Sequence, residues 1–187
     1  MRLFFAVGFD DSLKDAIAAA IGGIGLDHPP WRWVARDNFH ITMKFLGEMP
    51  EDRVAPLAMS AAGAMKTGRV EPFPITIGAM GGFPNLRRPR VLFYKVEKGG
   101  GELSTIAGHL DAALHDDLGI DMERRPFRAH ATVARIKTSI EPGISDRLQR
   151  APGVDHPPQL VDRVLLMRSE LRREGALYHV VKEVALA

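Results

Sequence analysis

Two segments that lie 90 positions apart (130 − 40) carry the same short alternation of polar and apolar residues. They read His40-Ile41-Thr42-Met43 and His130-Ala131-Thr132-Val133. Successive side chains on a β-strand point to opposite faces, so the histidine and threonine of each segment share one face. The pattern predicts two half-buried strands, each of which offers an imidazole and a hydroxyl group to one surface.

Strand, helix and strand follow one another around both segments. In the first half, the patterns predict strands at 2–9, 31–34 and 39–46, a helix from Ser12 to the glycines at 22–25, and a helix at 51–67. In the second half, they predict strands at 73–79, 91–96, 128–136, 161–166 and 178–184, and helices at 102–118 and 144–150. Ser12 is the expected N-cap of the first helix.

This order of elements predicts an α+β fold with antiparallel sheets, because hairpins rather than crossovers join the strands of the second half. No flexible linker separates the halves, so residues 1–187 are expected to form one bilobal domain. If a pseudo-twofold axis relates the lobes, His40 and His130 face each other across a central cleft.

The composition narrows the function classes. The chain has no cysteine, which excludes disulfides and thiolate nucleophiles and accords with a reducing cytoplasm. No segment reaches the ~20 apolar residues of a membrane helix, so we expect a soluble, cytoplasmic protein. Arginines gather at 87–90, 124–128 and 172–173. Guanidinium groups bind phosphate well, so these clusters permit a nucleic-acid partner, although a solvated surface explains each equally well.

Two facing imidazoles suit acid–base chemistry on a phosphodiester. One neutral ring can take a proton from attacking water, while the other, protonated, can give one to a departing ribose oxygen. The hydroxyl groups of Thr42 and Thr132 can donate hydrogen bonds to non-bridging phosphate oxygens, where negative charge develops. The remaining histidines lack a patterned neighbour and are expected to be solvated or structural; they are His28, His109, His115, His156 and His179. Neither a metal nor a cofactor is expected.

The wider context of both segments resembles the two-histidine (2H) phosphoesterases. In particular, it resembles the bacterial and archaeal RNA 2′,3′-cyclic phosphodiesterases once named 2′-5′ RNA ligases. The resemblance spans almost the whole chain and rests on the segments at 2–6, 33–34, 40–48, 82–92, 125–135, 168–171 and 175–178. Met43 and Ala131 stand where the family usually has larger aliphatic residues, and both are expected to face the core.

The resemblance implies a bilobal fold with two antiparallel sheets flanking a basic cleft and with helices on the outer faces. It also implies hydrolysis of RNA 2′,3′-cyclic phosphate ends to 2′-phosphomonoesters without a cofactor. By the same resemblance His40 is the proton donor to the leaving 3′-oxygen and His130 is the proton acceptor from water. The residues themselves do not separate these two roles.

Arg135 matches the family arginine that contacts the phosphate and ribose, but its position conflicts with strict strand alternation. Five positions after His130, its side chain faces the opposite side unless the strand ends or bulges near Ala134, or the side chain reaches around the edge. Phe45 lies at the same offset from His40. The same bend would bring its ring towards a base or ribose, and otherwise it is a core phenylalanine.

Three other functions stay open at this point. The same site could join 2′-5′ linked RNA ends without ATP, because the reaction is microscopically reversible. The chain could be an RNA-end binding module without turnover, although both His-x-Thr motifs are intact. A His-ligated metal hydrolase is the third alternative, but no carboxylate pattern accompanies the two histidines.

Overall fold

The computed structural model describes residues 1–26, 31–172 and 175–187. Within them, the helices are Asp11–Gly22 (α1), Val54–Thr67 (α2), Gly100–Leu118 (α3) and Pro142–Gln149 (α4). The strands are Arg2–Gly8 (β1), Arg32–Trp33 (β2), His40–Glu48 (β3), Phe73–Phe83 (β4), Val91–Lys98 (β5), His130–Arg135 (β6), Gln159–Val161 (β7), Arg163–Arg172 (β8) and Gly175–Ala185 (β9). Two 3-10 turns, Arg36–Asn38 and Glu51–Arg53, precede β3 and α2. His28 and Arg173, which the sequence analysis considered, lie outside the described residues.

The N-terminus of α1 differs from the prediction. Asp10 has an extended backbone, and its carboxylate accepts a hydrogen bond from the backbone N–H of Leu13 at 2.8 Å. Ser12 lies inside the first turn, where its hydroxyl group donates to Asp10 Oδ1 at 2.8 Å. The prediction that Ser12 is the N-cap was therefore wrong. A carboxylate at this position also interacts favourably with the helix dipole.

The hairpin between β4 and β5 begins later than predicted. Gly81 and Gly82 lie within β4 and not in the connecting loop, because β4 continues to Phe83, which pairs with Val91. A Cβ atom at position 81 would lie 2.5 Å from the ring of Phe93. Glycine is therefore required at position 81 for the ring of Phe93 to lie across β4.

The described strands form one antiparallel sheet in the order β7-β4-β5-β6-β3-β1-β8-β9, with β2 paired to β6. The α+β class with antiparallel pairing is confirmed. The two predicted sheets are joined, however, because β3 and β6 pair at their centre. This junction consists of one residue pair, Ile41 opposite Ala131. It therefore marks a seam between one half with β1, β3, β8 and β9 and another with the remaining strands.

The hydrophobic core lies on one face of the central strands. Leu3, Phe5 and Val7 of β1 belong to the core, as do Ile41 and Met43 of β3. Helix α3 contributes a stripe at helical spacing to the same core, which consists of Leu103, Ile106, Leu110 and Leu114. The opposite face of β3 and β6 is thereby left for the polar side chains.

Candidate active site

The seam between the two halves brings the two His-x-Thr segments together. Ile41 and Ala131, which pair across the seam, are both completely buried in the core. His40 and Thr42 flank Ile41, and His130 and Thr132 flank Ala131. The two histidines and the two threonines are all partly exposed. The expected core positions of Met43 and Ala131 are confirmed as well. Strand alternation therefore places both imidazoles and both hydroxyl groups on one shared face.

Both imidazole rings are held by the same kind of hydrogen bond. Nδ1 of His40 donates to the backbone carbonyl of Asn38 at 2.7 Å, and Nδ1 of His130 donates to that of Arg128 at 2.6 Å. A carbonyl oxygen can only accept, so the proton must be on Nδ1 in both rings. Nε2 is consequently the atom of each ring that gains or loses a proton. In His40 this atom lies 2.9 Å from Thr42 Oγ1.

Two aromatic rings flank each imidazole. The ring of His40 lies 5.1 Å from that of Phe4 and 5.3 Å from that of Tyr178, between centroids. The ring of His130 lies 5.2 Å from that of Phe83 and 5.1 Å from that of Phe93. Three of these four contacts are edge-on. The aromatic rings pack against each imidazole and restrict its orientation.

A β-bulge in each central strand resolves the conflict over Arg135. In the pairing of β6 with β5, the register shifts between Phe93–Thr132 and Leu92–Ala134, so Val133 is the extra residue. Val133 and Ala134 are both buried, and Arg135 emerges on the exposed side. A bulge inserts one residue and so reverses the alternation that follows it. Arg135 therefore returns to the face of His130, through the bulge that the sequence analysis named as one possibility.

The strand β3 contains a bulge at the equivalent position. Its register with β1 shifts between Ala6–Thr42 and Phe5–Lys44, so Met43 is the extra residue. Phe45 is consequently on the side of His40 and is 57% exposed, and its ring centroid lies 6.0 Å from that of Phe4. The interpretation of Phe45 as a core residue is therefore wrong.

The two imidazoles share an electrostatic environment that favours their neutral forms. Burial lowers the pKa of His40 and of His130, and the positive charge of Arg135 lowers both further. His130 also lowers the pKa of His40, whereas the hydrogen bonds to the Asn38 and Arg128 carbonyls act in the opposite direction. An anion between the rings would reverse the effect of Arg135, because a nearby negative charge stabilises an imidazolium ion.

A buried ion pair lies beneath the first half of the site. Lys44 is only 3% exposed, and its ammonium group contacts the Asp111 carboxylate of α3 and donates to the backbone carbonyl of Asp121 at 2.9 Å. The same carboxylate accepts from the backbone N–H of Glu123, at 3.1 Å to each oxygen. These bonds fix the 119–125 segment to β3.

Two of the three predicted arginine clusters, those at 87–90 and 124–128, border grooves. The first groove, of about 710 Å³, is bounded by Phe45 together with Arg53, Arg124 and Arg125. The second is bounded by the loop at 87–90 and residues of α4. In an antiparallel pair, residues before His130 run alongside residues after Thr42. The first groove is therefore at the Phe45 end of the two-histidine face, and the second is beyond the Arg135 end.

Sequence reasoning missed the residues that hold the imidazoles in place. Phe4, Phe83, Phe93 and Tyr178 come from four different strands, so no local spacing relates them to a histidine. The anchoring carbonyls belong to the backbone and carry no residue signature. Asn38 has a second role, since its side chain donates to the carbonyl of Ala176 in β9 at 2.6 Å. The type of residue at position 38 therefore relates to the contact with β9 and not to the anchoring of the imidazole.

Metal ligands and membrane helices were sought across the described residues. Among residues 1–26, 31–172 and 175–187, no group of three or more His, Asp or Glu side chains is arranged to hold a metal ion. In the same part of the chain, no helix has the length and apolar character to cross a membrane.

The fold and the paired histidines together define a two-histidine phosphoesterase. The chain belongs to the LigT-like phosphoesterase family, whose sequence profile matches residues 7–93 and 95–178. The family resemblance drawn from the sequence is thereby confirmed. A relative from Aeropyrum pernix is 33% identical over 159 residues, which are 84% of this chain and 88% of the relative. Another, from Thermus thermophilus, is 31% identical over 100% of this chain and 90% of its own length. Both relatives are named RNA 2′,3′-cyclic phosphodiesterase.

Solved structures show the same fold. The crystal structure of TT0787 from Thermus thermophilus has a TM-score of 0.77 and 30% identity, and the match covers 100% of this chain and 98% of that one. The structure of Escherichia coli LigT complexed with 3′-AMP has a TM-score of 0.72 and 26% identity, with 99% and 97% covered.

Proposed function

We propose that this protein hydrolyses 2′,3′-cyclic phosphates at RNA ends to 2′-phosphomonoesters. The observation that carries the proposal is the pair of imidazoles on one face, each held through Nδ1 and each left with Nε2 for proton transfer. The names of the relatives from Aeropyrum pernix and Thermus thermophilus support the choice of substrate.

The register of the seam gives the two histidines a suitable separation. Ile41 opposes Ala131 in an antiparallel pair, so His40 lies opposite Thr132 and diagonally across from His130. The backbones of diagonal neighbours in such a pair are about 7–8 Å apart. From this backbone separation the two imidazoles can reach opposite sides of one phosphate group, whose oxygens accept their hydrogen bonds.

In the proposed reaction, Nε2 of neutral His130 takes a proton from water as the water oxygen attacks the phosphorus atom. The bond from phosphorus to the ribose 3′-oxygen breaks, and that oxygen takes the proton from Nε2 of protonated His40. The products are a 2′-phosphomonoester and a free 3′-hydroxyl group. The assignment of donor and acceptor comes from the family resemblance, and the deeper burial of His40 shows that the two environments are unequal.

Three groups stabilise the charge that develops on the phosphate. The guanidinium group of Arg135 can bind two non-bridging oxygens, and the hydroxyl groups of Thr42 and Thr132 can donate to them. The anion in turn raises the pKa of the imidazoles, so that one ring is protonated when substrate is bound. Phe45, beside Phe4 and exposed, offers its ring to a base or ribose.

We further propose that residues 1–187 act as one unit whose two halves are related by the predicted pseudo-twofold axis. Each half contains a strand, a helix and a returning strand that forms the seam, β1-α1-β3 in one and β5-α3-β6 in the other. The family profile also matches the chain in two segments, 7–93 and 95–178.

The decisive experiment measures conversion of a short RNA with a 2′,3′-cyclic phosphate end in the presence of a chelator. We expect a 2′-phosphomonoester as the product. Full activity of the double variant His40→Ala, His130→Ala would contradict the mechanism. Salt-sensitive RNA binding without turnover would instead favour a binding module.

A substrate with sulfur in place of the leaving 3′-oxygen separates the roles of the two histidines. A thiolate leaves without protonation, so it does not need the general acid. We expect His40→Ala to regain most of its lost activity with this substrate, while His130→Ala stays inactive. The opposite outcome would exchange the two roles.

A further inference from the structure

The groove at the Phe45 end of the two-histidine face has the features of a second binding subsite. Three guanidinium groups border it, from Arg53, Arg124 and Arg125, and the last two are exposed. Its apolar lining includes Phe45 and Met122, which are 57% and 52% exposed. Single-stranded nucleic acid is bound by this combination, because cations contact the phosphate backbone and apolar or aromatic side chains stack on the bases.

This groove is continuous with the candidate active site. The ring of Phe4 lies 5.1 Å from the ring of His40 and 6.0 Å from that of Phe45, which borders the groove. The groove has a volume of about 710 Å³, which is within the range of sites for small molecules, so it can hold a nucleotide. A nucleotide next to a phosphate at the two histidines can therefore enter the groove without leaving the protein surface.

The floor of the groove is fixed before any ligand binds. The backbone of its Asp121–Glu123 segment is bonded to the buried pair Lys44–Asp111. The carboxylates of Asp121 and Glu123 also border the groove and offset part of the positive charge. Since the segment leads directly into Arg124 and Arg125, the same bonds fix the backbone from which these two side chains extend along the groove that Phe45 also borders.

We propose that this groove binds the nucleotide that precedes the cyclic end, and so makes the protein selective for RNA ends over free cyclic mononucleotides. The proposal rests on the proposed function. Arg124 and Arg125 bind the phosphodiester group of the preceding nucleotide, and its base stacks on Phe45. A cyclic mononucleotide reaches the two histidines but leaves the groove empty.

The test compares kcat/KM for a 2′,3′-cyclic mononucleotide and for a pentanucleotide with the same cyclic end. We expect the wild-type protein to prefer the pentanucleotide by at least about tenfold, the lower end of what one charge-assisted hydrogen bond to a phosphate contributes. The double variant Arg124→Gln, Arg125→Gln is expected to lose this preference while keeping its activity on the mononucleotide. For the pentanucleotide, kcat/KM falls as salt is added. In the double variant the slope of log kcat/KM against log salt concentration should be shallower by about 1.4, at roughly 0.7 for each of the two lost phosphate contacts.

The matched control is Arg87→Gln, Arg88→Gln, which removes the same charge from the groove at the other end. We expect this control to keep the preference for the pentanucleotide. Equal rates on both substrates in the wild-type protein, or a loss of preference in the control alone, would overturn the inference but not the proposed function. Absence of turnover with either substrate would overturn both.

Discussion

The two halves of the site use the same backbone device with different side chains. In each half, a carbonyl two positions before the histidine fixes Nδ1, two aromatic rings flank the imidazole, and a bulge follows the threonine. Beyond the bulges the halves differ. One presents Phe45 and the other Arg135, and the buried residue before each is Lys44 in one half and Ala134 in the other.

On the proposed function, this difference lets two similar halves bind an asymmetric substrate. The repeated parts would hold the groups that transfer protons, which need similar geometry on both sides of one phosphate. The parts that diverge would hold the groups that distinguish the sides, a cation for the phosphate and an aromatic ring for a base or ribose. Substitutions in the repeated and in the divergent parts should therefore have different effects.

The largest effect is expected from the repeated parts. His40→Ala and His130→Ala should each lower kcat/KM on a cyclic RNA end by about 10²–10⁴, the range of general acid–base catalysis. The double variant should lose little more, because the two residues act as a unit. His115→Ala, on the exposed side of α3, is the control and should retain activity. Additive losses in the double variant would show that the histidines act independently.

A large effect on stability is expected from the ion pair between Lys44 of β3 and Asp111 of α3, to which the buried Ala134 of β6 offers no counterpart. Lys44→Met leaves the Asp111 carboxylate without its buried partner, which typically costs about 3–5 kcal/mol of unfolding free energy. Urea denaturation measures this cost. The double variant Lys44→Met, Asp111→Leu should recover part of the loss, because it replaces the pair with apolar contacts. An unchanged midpoint for Lys44→Met would show that the pair is not required.

Arg135→Gln should lower kcat/KM by about 10²-fold through loss of charge stabilisation in the transition state. It should also move the pH profile of kcat/KM to higher pH. Arg135 lowers the pKa of both imidazoles, so its removal raises both pKa values and with them both limbs of the bell-shaped profile. Arg135→Lys keeps the charge and should leave the profile near its original position. A profile that moves to lower pH would contradict the placement of Arg135 beside the rings.

The smallest effect is expected from Phe45→Ala. Loss of one base-stacking ring typically costs about 1–3 kcal/mol, so kcat/KM should fall by about tenfold, mainly through KM. The pH profile should not move, since no charge is removed. Phe45→Tyr keeps the aromatic ring and should retain most of the activity. A loss in kcat as large as that of Arg135→Gln would contradict the assignment of substrate binding to Phe45 and of charge stabilisation to Arg135.

Strand alternation was sufficient to predict where the imidazoles and hydroxyl groups point, since Ile41 and Ala131 are buried as expected. Strand alternation failed to predict the side-chain directions after Thr42 and Thr132. A bulge depends on the register with a neighbouring strand, and the sequence of a single strand does not reveal that register. The extra residue at Met43 can be recognised only once β1 is beside β3. The N-cap at Asp10 was missed for a local reason, as Ser12 is an equally good capping residue and lies two positions later.

The identical Nδ1 anchors have a consequence for successive rounds of catalysis. In the proposed reaction, proton transfer at Nε2 in both rings leaves His130 protonated and His40 neutral, the reverse of the starting arrangement. The resting protein must therefore pass one proton from one ring to the other, through solvent, before it can cleave again. A protein that keeps its product before this exchange is in the protonation state for the reverse step, in which the 3′-hydroxyl group attacks the 2′-phosphate, water leaves and the cyclic phosphate forms again.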